Sequence, residues 1–477
     1  MATAIPANHA AFTLREASDA VRGTLSGDGD ATVRGVVTDS RAMRPGALFV
    51  ALRGERFDGH DHARTAREAG ASALLVERPT GLGIPEIVVA DTVRALADLA
   101  SHHLARARAA RTLPVFAVSG AVGKTTTKEL LAAGLAAAYG RTLATTGNLN
   151  NLIGAPMTAL CLDDDHHAVV IECGSNAPGE IARIAAMVSP DVAVVTNADA
   201  AHTELLGSVD AVAREEGSLF AFARRATVAN ADELRSASQA ERARDGVARW
   251  RFGVHAPADV RLARRELRDD GGAVLVFDIA PALAGVGAQI VETALLGSAV
   301  AANVAAALTA LAAAGATAAQ LQAAAAAMGK VRPVPGRLVP RTVRGALVLD
   351  DTYNASPRAV RAALDAGSEI AAARGARLLV AFGDMLELGD LATDAHDEAV
   401  GAALRSGAAV VVAAGREMGA ALARAAGGGA AERVGVEHAL AAGEALAARV
   451  RPGDVVLVKG SRGMRMERCI AALEGND

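Results

Sequence analysis

Short β-branched runs alternate with alanine- and leucine-rich stretches of helical length along most of this chain. VFAVSG is followed by KELLAAGLAAAY and AVVIECG by GEIARIAAMV, and later apolar runs read RLLVAFGD and VVLVKGS. Continuous apolar strands that are separated by helices are typical of parallel sheets covered by helices. The sequence therefore predicts an α/β fold.

Two breaks divide the chain, which at 477 residues is too long for one ordinary core. A helical stretch ends at Pro114, before a glycine turn, and the proline-containing connector VRPVPGR spans 331–337 after an alanine-rich stretch. Leucines spaced along that alanine-rich stretch favour a packed helix over disorder. We predict three domains, at 1–90, 91–332 and 333–477.

Charge and cysteine usage narrow the class of partner. The net charge of -4 provides no basic excess for a nucleic-acid backbone. Three cysteines lie far apart without a CxxC pair, which argues against a disulfide framework or a zinc knuckle. The N-terminus lacks the pattern of a secretion signal, and Gly, Arg or Gln interrupts each apolar run before it reaches membrane-spanning length. We expect a cytoplasmic protein with small-molecule partners, no nucleic-acid partner and no membrane span.

The stretch SGAVGKTT joins a predicted strand to a predicted helix. In such a turn the backbone N–H groups and the helix N-terminus converge on an anion, Lys124 adds a positive charge, and Thr125 offers a hydroxyl to Mg²⁺. The strict phosphate-loop spacing has a glycine five residues before Gly123, where this chain has Val118, so only G-x-x-G-K-T is present. Phosphate binding is the favoured interpretation, and a purely structural turn is the alternative.

Polar residues follow the next two predicted strands. Glu172 ends the apolar run in VVIECGSNAPGEI, and His202 follows the next run in VVTNADAAHTELLGS. Ligands of open parallel sheets bind beyond the carboxyl ends of the strands, so Lys124, Glu172 and His202 should converge on one crevice. Oxygen ligands suit a hard cation that bridges phosphates, and an imidazole is admissible. Together the residues predict a magnesium–nucleotide site, whereas singly a solvated strand end and an ordinary loop histidine are the alternatives.

Motifs in all three segments occur in a recognisable order. The first segment contains TDSRAMRPGALFVALRGERFDGHDHARTAREAGA, and the second contains SGAVGKTTTKEL, TTGNLNNLIGAP and ECGSNAPGEI. The third contains PGRL, DDTYNASP, GDMLELG and VKGSRGMRME. In this order the motifs resemble the ATP-dependent Mur ligases of peptidoglycan synthesis, and those of the third segment resemble the D-alanyl-D-alanine-adding branch most closely.

The resemblance implies an architecture and a reaction. It implies a small UDP-binding α/β domain, a central P-loop ATPase-like domain with a parallel sheet, and a C-terminal Rossmann-like domain that closes over the site. In the implied reaction, ATP phosphorylates the terminal carboxylate of UDP-N-acetylmuramoyl-tripeptide, and the amine of D-alanyl-D-alanine attacks the acyl phosphate. The implied cofactors are ATP and Mg²⁺, and the resemblance favours a monomer.

The resemblance also assigns roles to residues of this sequence. The implied catalytic residues are Lys124, Glu172 and His202, and the candidate metal ligands are Thr125, Glu172, His202 and Glu216. The implied nucleotide-binding residues are Gly120, Gly123, Lys124, Thr125, Thr126, Asn303, Arg337 and Asp351. The implied substrate-binding residues are Ser40 and Arg41 at the UDP end, Asn150 and Asn151 near the muramoyl group or phosphate, and Tyr353, Asn354, Ser356, Ser461 and Arg462 near the dipeptide. The alternatives are polar turns and, for the DSR stretch, a helix cap with a solvated arginine.

The chain departs from the family pattern at two places. A lysine that is carbamylated in the family is replaced by Glu216 in VAREEGSLF, and Glu216 is either a water-bridged metal ligand or a solvated helix residue. The family pattern G-R-H-N-x-x-N reads GSAVAAN here, with Ser298, Ala299 and Val300 in place of the polar trio and only Asn303 retained. These departures keep two alternatives open: a nucleotide-binding relative without ligase turnover, and another amide ligase of the superfamily.

Overall fold

The computed structural model describes residues 3–54, 57–200, 203–285, 287–425 and 430–475. Within them, successive stretches of the chain form separate mixed or parallel sheets that are flanked by helices. The α/β fold that the alternating pattern predicted is therefore confirmed. None of the described helices is long and apolar enough to cross a membrane.

The first sheet has the strand order β2-β9-β8-β5-β4, with β2 antiparallel to its neighbour and the others parallel. The strands of this part of the chain, including the separate antiparallel pairs β1-β3 and β6-β7, are β1 (Ala11–Thr13), β2 (Thr24–Ser26), β3 (Thr32–Arg34), β4 (Val36–Val37), β5 (Leu48–Val50), β6 (Arg53–Gly54), β7 (Phe57–Asp58), β8 (Ala73–Val76) and β9 (Glu86–Val88). The helices are α1 (Leu14–Val21), α2 (Ala63–Glu68) and α3 (Thr92–Ala110). Asp91 caps α3, whose apolar face packs against both α1 and the helices of the next sheet.

The central sheet has the order β11-β12-β10-β13-β14-β15-β16-β17-β18 and is parallel as far as β16. Its strands are β10 (Val115–Ser119), β11 (Thr142–Ala144), β12 (Ala168–Glu172), β13 (Val192–Val195), β14 (Ala226–Asn230), β15 (Ala248–Gly253), β16 (Val260–Leu267), β17 (Ala273–Ile279) and β18 (Gln289–Thr293). Its helices are α4 (Lys124–Tyr139), α5 (Gly154–Ala159), α6 (Glu180–Val188), α7 (Thr203–Leu206), α8 (Val209–Gly217), α9 (Leu234–Ser238), α10 (Ala299–Ala313) and α11 (Ala318–Met328).

The third sheet has the order β19-β20-β24-β21-β22-β23, with β19 antiparallel to β20 and the remaining neighbours parallel. Its strands are β19 (Val339–Val343), β20 (Ala346–Asp351), β21 (Leu378–Gly383), β22 (Val410–Ala414), β23 (Glu432–Val436) and β24 (Val455–Lys459). Its helices are α12 (Pro357–Arg374), α13 (Ala392–Arg405), α14 (Arg416–Arg424), α15 (Ala439–Ala447) and α16 (Glu467–Glu474). The domain boundaries that we placed at 90/91 and 332/333 stay predictions.

The alanine-rich stretch forms two helices that pack on the phosphate-loop helix. The inward residues of α4 are in one core with α10 and α11, and α10 is buried along most of its length. Gly134 permits this approach, because a Cβ there would lie 2.8 Å from Leu311 and Met328. Small side chains let helices come close, so the alanine content serves packing, as the sequence predicted.

The third sheet is joined to the central sheet by side chains as well as by the connector. Arg265 of β16 forms a bidentate ion pair with Glu369 of α12, at 2.5 and 2.7 Å. Oγ1 of Thr203 donates to the carbonyl of Leu388 at 3.1 Å. At Gly297, where φ is 88°, a Cβ would lie 3.0 Å from the third-sheet helix α12. These contacts hold the two sheets around a shared cleft.

Candidate active site

The turn between β10 and α4 leaves a helix N-terminus open towards the cleft. β10 ends at Ser119 and α4 begins at Lys124, so strand, turn and helix lie where the sequence predicted them. Gly120 and Gly123 have φ values of 126° and 85°, and a Cβ on Gly120 would collide with Oγ1 of Thr196. No described side chain caps α4. Its first N–H groups are therefore available to an anion.

Two residues that follow β13 stabilise this turn by hydrogen bonds to its backbone. Oγ1 of Thr196 and Nδ2 of Asn197 donate to the carbonyl of Val122, at 2.7 and 2.8 Å. Oδ1 of Asn197 accepts from the N–H of Val122 at 3.0 Å. Because both polar atoms of the Asn197 amide are engaged, this residue supports the loop.

Glu216 is built into the phosphate loop. It is 3% exposed, its Oε2 accepts from the N–H of Gly120 at 2.8 Å, and its carbonyl accepts from Oγ of Ser119 at 2.9 Å. Its Oε1 lies 3.7 Å from Nζ of Lys124, which also donates to the carbonyl of Gly120. The alternative that Glu216 is a solvated helix residue is therefore wrong, because its side chain is buried and accepts a hydrogen bond from Gly120. A metal role for Glu216 stays a prediction.

Glu172 places an unsatisfied carboxylate oxygen beside the phosphate loop. The residue is 2% exposed, and its Oε1 accepts from Oγ1 of Thr125 at 3.2 Å and from Nδ2 of Asn150 at 2.8 Å. Its Oε2 is buried and has no hydrogen-bond partner among the described residues. A buried unpaired carboxylate oxygen is costly. The arrangement fits a divalent cation that Thr125 and Glu172 hold together, since both offer the oxygen ligands that Mg²⁺ prefers.

The other candidate ligands are arranged differently. Within the described residues, no three His, Cys, Asp or Glu side chains cluster as a metal site by themselves. His202 lies outside the described residues. Cys173 follows Glu172 but offers no thiolate, because burial, and then the charges of Glu216 and Glu172, raise the pKa of its thiol far above the usual range. Among the described residues, Thr125 and Glu172 are therefore the best-placed candidates for a cation ligand, and the role of His202 stays a prediction.

Arg337 reaches from the connector to the phosphate loop. Its Nη2 donates to Oγ1 of Thr125 at 3.0 Å, and its guanidinium lies 4.6 Å from the centre of the Tyr353 ring. The N–H of Tyr353 donates to the carbonyl of Gly336 at 3.0 Å, which fixes the ring against the connector. Nε of Arg337 is buried without a partner among the described residues. A residue of the connector thus aims a fixed positive charge at the place where phosphates would bind.

Both carboxylate oxygens of Asp351 accept hydrogen bonds from other residues of the chain. Oδ1 accepts from the N–H of Leu338 at 3.1 Å, and Oδ2 accepts from Nζ of Lys459 at 2.6 Å. Lys459 also donates to the carbonyl of Asn354 at 2.8 Å, and its side chain is 4% exposed. Sequence reasoning missed Lys459, although its position at the end of the apolar run VVLVK was a signal. Asp351 and Lys459 together fix the connector beside Arg337.

The residues predicted near the dipeptide share one wall. Oδ1 of Asn354 accepts from the N–H of Arg462 at 3.4 Å. Oγ of Ser461 accepts from the N–H of Leu386 at 2.9 Å, and Oγ of Ser356 donates to Asp199 at 3.5 Å. The first two bonds connect the loops after β20, β21 and β24, and the third joins the loop after β20 to the loop after β13 of the central sheet. All of these loops lie at the carboxyl ends of parallel strands, which is where ligands of such sheets bind.

One cavity of about 440 Å³ brings most of the predicted residues together. It is lined by Gly123, Lys124, Thr125, Thr126, Asn150, Asn151, Glu172, Asn303, Arg337, Asp351, Tyr353, Asn354, Ser356, Ser461 and Arg462. Gly120 and Glu216 do not line the cavity, and the hydrogen bond between them supports the loop from behind the lining residues. The volume is typical of small-molecule sites. Oδ1 of Asn151 also accepts from the N–H groups of Ile153 and Gly154, so this residue caps α5 as well.

Ser40 and Arg41 do not line that cavity. Arg41 forms a bidentate pair with Asp39 at 2.7 Å and is 88% exposed, and Asp39 caps the short 3₁₀ helix Ser40–Ala42. The structure therefore shows the cap and the solvated arginine that the sequence offered as the alternative. The cause is local, because the carboxylate two residues away is the nearest partner for the guanidinium. A contact of these residues with UDP stays a prediction.

Family models match each part of the chain. The Mur ligase family, catalytic domain model matches residues 32–112, and the Mur ligase middle domain model matches 118–311. The Mur ligase, glutamate ligase domain model matches 336–462. Together these matches include the phosphate loop and the loops of the third sheet, and most of the connector lies between the second and third matches.

Curated relatives and solved structures extend over nearly the whole chain. The chain is 36% identical to UDP-N-acetylmuramoyl-tripeptide–D-alanyl-D-alanine ligase of Escherichia coli, over 97% of this chain and 98% of the relative. It is 31% identical to the Bacillus subtilis protein of the same name, with the same coverage. A crystal structure of MurF from Acinetobacter baumannii superposes with a TM-score of 0.88 at 28% identity and covers 98% of this chain and 100% of that one. MurF of Thermotoga maritima in complex with ADP gives a TM-score of 0.80 at 27% identity and covers 92% of this chain and 97% of that one.

Proposed function

Because the chain belongs to the Mur ligase family, we propose that it adds D-alanyl-D-alanine to UDP-N-acetylmuramoyl-tripeptide in peptidoglycan precursor synthesis. It is an ATP-dependent ligase, and ATP is converted to ADP and phosphate in the reaction. The observation that carries the proposal is that one cavity is lined both by the phosphate loop of the central sheet and by the DDTYNASP and VKGSRG loops of the third sheet. Relatives that bear the name of this reaction over their full length support the choice of substrates.

The residues of the cavity suit transfer of a phosphoryl group to a carboxylate. The α4 N-terminus and Lys124 bind the phosphates from the central sheet, and Arg337 approaches from the connector. A carboxylate oxygen leaves poorly and phosphate leaves well, so an acyl phosphate makes the substrate carbon open to attack by the dipeptide amine. The fixed positive charges stabilise charge on the phosphoryl oxygens before and during the transfer.

Mg²⁺ is part of the proposal. Thr125 and Glu172 would hold the ion, and the unpartnered Oε2 of Glu172 is the atom that supports this placement. The ion would supply charge neutralisation on the phosphates. Asn150 orients the carboxylate by donating to its other oxygen, so the free oxygen keeps one direction. His202 and Glu216 remain proposed as further ligands.

The dependence of phosphate release from ATP on the other two substrates tests the proposed function. Phosphate release should require both UDP-N-acetylmuramoyl-tripeptide and D-alanyl-D-alanine, because the dipeptide amine must take the acyl group before the cycle can repeat. The measurement is the initial rate of phosphate release with each substrate omitted in turn, together with detection of the pentapeptide product by mass spectrometry. Phosphate release that is equal with and without the dipeptide would instead identify a nucleotide hydrolase or regulator.

A second prediction concerns Glu216. The carboxylate is already present at this position and bonded to Gly120, so turnover should not change when bicarbonate is added. Glu216→Lys is the matched variant, because it restores a side chain that CO₂ can carbamylate, and its turnover should become dependent on bicarbonate. The measurement is the initial rate in degassed buffer with and without bicarbonate. Stimulation of the unaltered protein would show that another lysine is carbamylated.

The proposal also includes a cytoplasmic location and a monomeric state. The described cysteines Cys161, Cys173 and Cys469 are free thiols, which agrees with a reducing compartment. Both halves of the candidate active site come from one chain, so a second copy is not needed to complete it. Sedimentation analysis at working concentrations measures the oligomeric state.

A further inference from the structure

The helix α12 begins without a cap from its own N-cap residue. That residue is Ser356, and its side chain accepts no hydrogen bond from the first turn of the helix. Pro357 occupies the first helical position and has no N–H, so the N–H of Arg358 is the first donor that the helix presents. An N–H at a helix N-terminus needs an acceptor from outside the helix.

The acceptor is Asp199, which follows β13 of the central sheet, whereas α12 belongs to the third sheet. Oδ2 of Asp199 accepts from the N–H of Arg358 at 3.1 Å and from Oγ of Ser356 at 3.5 Å. A carboxylate at this place also interacts favourably with the dipole of an 18-residue helix. The serine hydroxyl that would ordinarily cap α12 thus donates to the residue that caps the helix in its place.

The segment that contains Asp199 is anchored in both sheets. Both polar atoms of the Asn197 side chain bond to the backbone of Val122 in the phosphate loop, and the N–H of Ala198 donates to the carboxylate of Glu233 at 3.2 Å. Ala200, which is 8% exposed, packs in the core of the third sheet. The position of Asp199 is therefore fixed relative to the phosphate loop.

The start of α12 and the loop before it form the wall that is predicted to contact the dipeptide. Asn354, Ser356 and Ala359 line the cavity there. Lys459 donates to the carbonyl of Asn354 and holds the start of this wall, and Asp199 holds its end. Movement of the α12 N-terminus would displace these lining residues relative to the phosphate loop.

The central sheet holds α12 at a second point. Arg265 pairs with Glu369, which lies about three turns beyond Arg358 on the same helix. Thr203 also remains bonded to the carbonyl of Leu388. Loss of the Asp199 contact should therefore release the start of α12 while the two sheets stay joined.

We propose that Asp199 is a positioning residue that caps α12 across the cleft, so that closure of the two sheets and ordering of the dipeptide wall occur together. The cap joins two sheets, so it is present when they are closed and is lost when they separate. The inference rests on the proposed function, since it takes this wall to be the site of D-alanyl-D-alanine. A cap of the closed arrangement strengthens the binding of any ligand that needs closure.

The kinetics of Asp199→Ala test this role. The KM for D-alanyl-D-alanine should rise about fivefold to tenfold, the scale of one lost N-cap. The kcat should change by less than about twofold, because saturating dipeptide restores the closed arrangement. The Kd of ADP with Mg²⁺, measured by calorimetry, should also stay within about twofold, since its phosphates bind at the α4 N-terminus and not at α12.

Two matched variants separate the cap from a general loss of stability. Asp199→Asn keeps an oxygen acceptor, and asparagine caps helices as well as aspartate does, so its KM should stay within about twofold of that of the unaltered chain. His438→Ala removes the side chain that caps α15 by accepting from the N–H of Ala441 at 3.2 Å, and it should lower stability without a change in KM. An equal rise of KM in Asp199→Ala and in either matched variant would overturn the inference.

Hydrogen exchange tests the cap without turnover. The amide of Arg358 should exchange about fivefold faster in Asp199→Ala than in the unaltered chain, and Asp199→Asn should keep most of the protection. Mass spectrometry with residue-level fragmentation measures the rates. Equal exchange of this amide in the unaltered chain and in Asp199→Ala would overturn the inference, because the hydrogen bond would then be absent in solution.

The two measurements separate this inference from the proposed function. If the unaltered chain ligates D-alanyl-D-alanine and Asp199→Ala has the same KM for it, the proposed function stands and the inference is overturned. If the unaltered chain does not ligate the dipeptide, the proposed function fails and the role of Asp199 in dipeptide binding fails with it. The exchange rate of the Arg358 amide then still decides whether Asp199 caps the helix.

Discussion

Lys124→Ala should lower kcat/KM for ATP by roughly 10³-fold, the scale of removing one preorganised charge from a transition state. Lys124 contacts the carbonyl of Gly120 and lies 3.7 Å from Glu216, and its side chain faces the cavity and not an apolar core. The loss should therefore appear in phosphate transfer, measured by initial rates of phosphate release. Circular dichroism should show an unchanged fold.

The same substitution should cause a small loss of stability. Without Lys124 the buried Glu216 has lost its nearby cation but keeps the N–H of Gly120, so we expect a loss of roughly 1–2 kcal/mol, less than for a fully buried pair. The matched control is the double variant Lys124→Ala, Glu216→Gln, which should recover most of the stability and none of the activity. A variant that keeps its activity while its stability falls as after a core deletion would contradict a phosphate-binding role.

Lys459→Met should destabilise the third domain by about 3–5 kcal/mol, because it leaves Asp351 charged and buried without its cation. For a domain of the predicted size the loss corresponds to a fall of roughly 10–16 °C in the melting transition. Differential scanning calorimetry of the full chain measures it. The rate of ligation should also fall, since Asp351 holds the N–H of Leu338 next to Arg337.

The matched control for this prediction removes both charges. In Lys459→Met, Asp351→Asn the amide oxygen still accepts from Leu338, and no buried carboxylate is left unpaired. We expect the double variant to melt closer to the unaltered chain than the single variant does. If the single and double variants have the same melting temperature, the ion pair contributes to stability through packing and not through charge compensation.

The sequence predicted the parts of the site that depend on neighbouring residues. It did not predict the contacts between residues that are far apart in the chain. The strand, turn and helix at 115–139 and the placement of Glu172 at a strand end follow from short-range patterns, and both are confirmed. The environment of Glu216 depends on the backbone of Gly120, about a hundred residues away, which no local pattern encodes. Lys459 was missed for the same reason, since its partner Asp351 lies on a neighbouring strand.

The pairing of Arg41 is, by contrast, local, and its contact with UDP stays a prediction. The sequence offered both a ligand contact and a solvated arginine, and the competing partner Asp39 was visible two residues away. A carboxylate so close in sequence pairs with the guanidinium without any tertiary structure. Local pairing of this kind should be weighed before a remote ligand is assigned to a surface arginine.

The ion pair of Arg265 and Glu369 has a consequence for the timing of the catalytic cycle. It joins β16 of the central sheet to α12 of the third sheet, and both side chains retain some contact with solvent. If product release requires the two sheets to separate, this pair must break, and part of the barrier is then electrostatic and screened by dissolved ions. The dwell time of ADP on the enzyme should therefore shorten as ionic strength rises, even though the groups that touch the nucleotide stay unchanged.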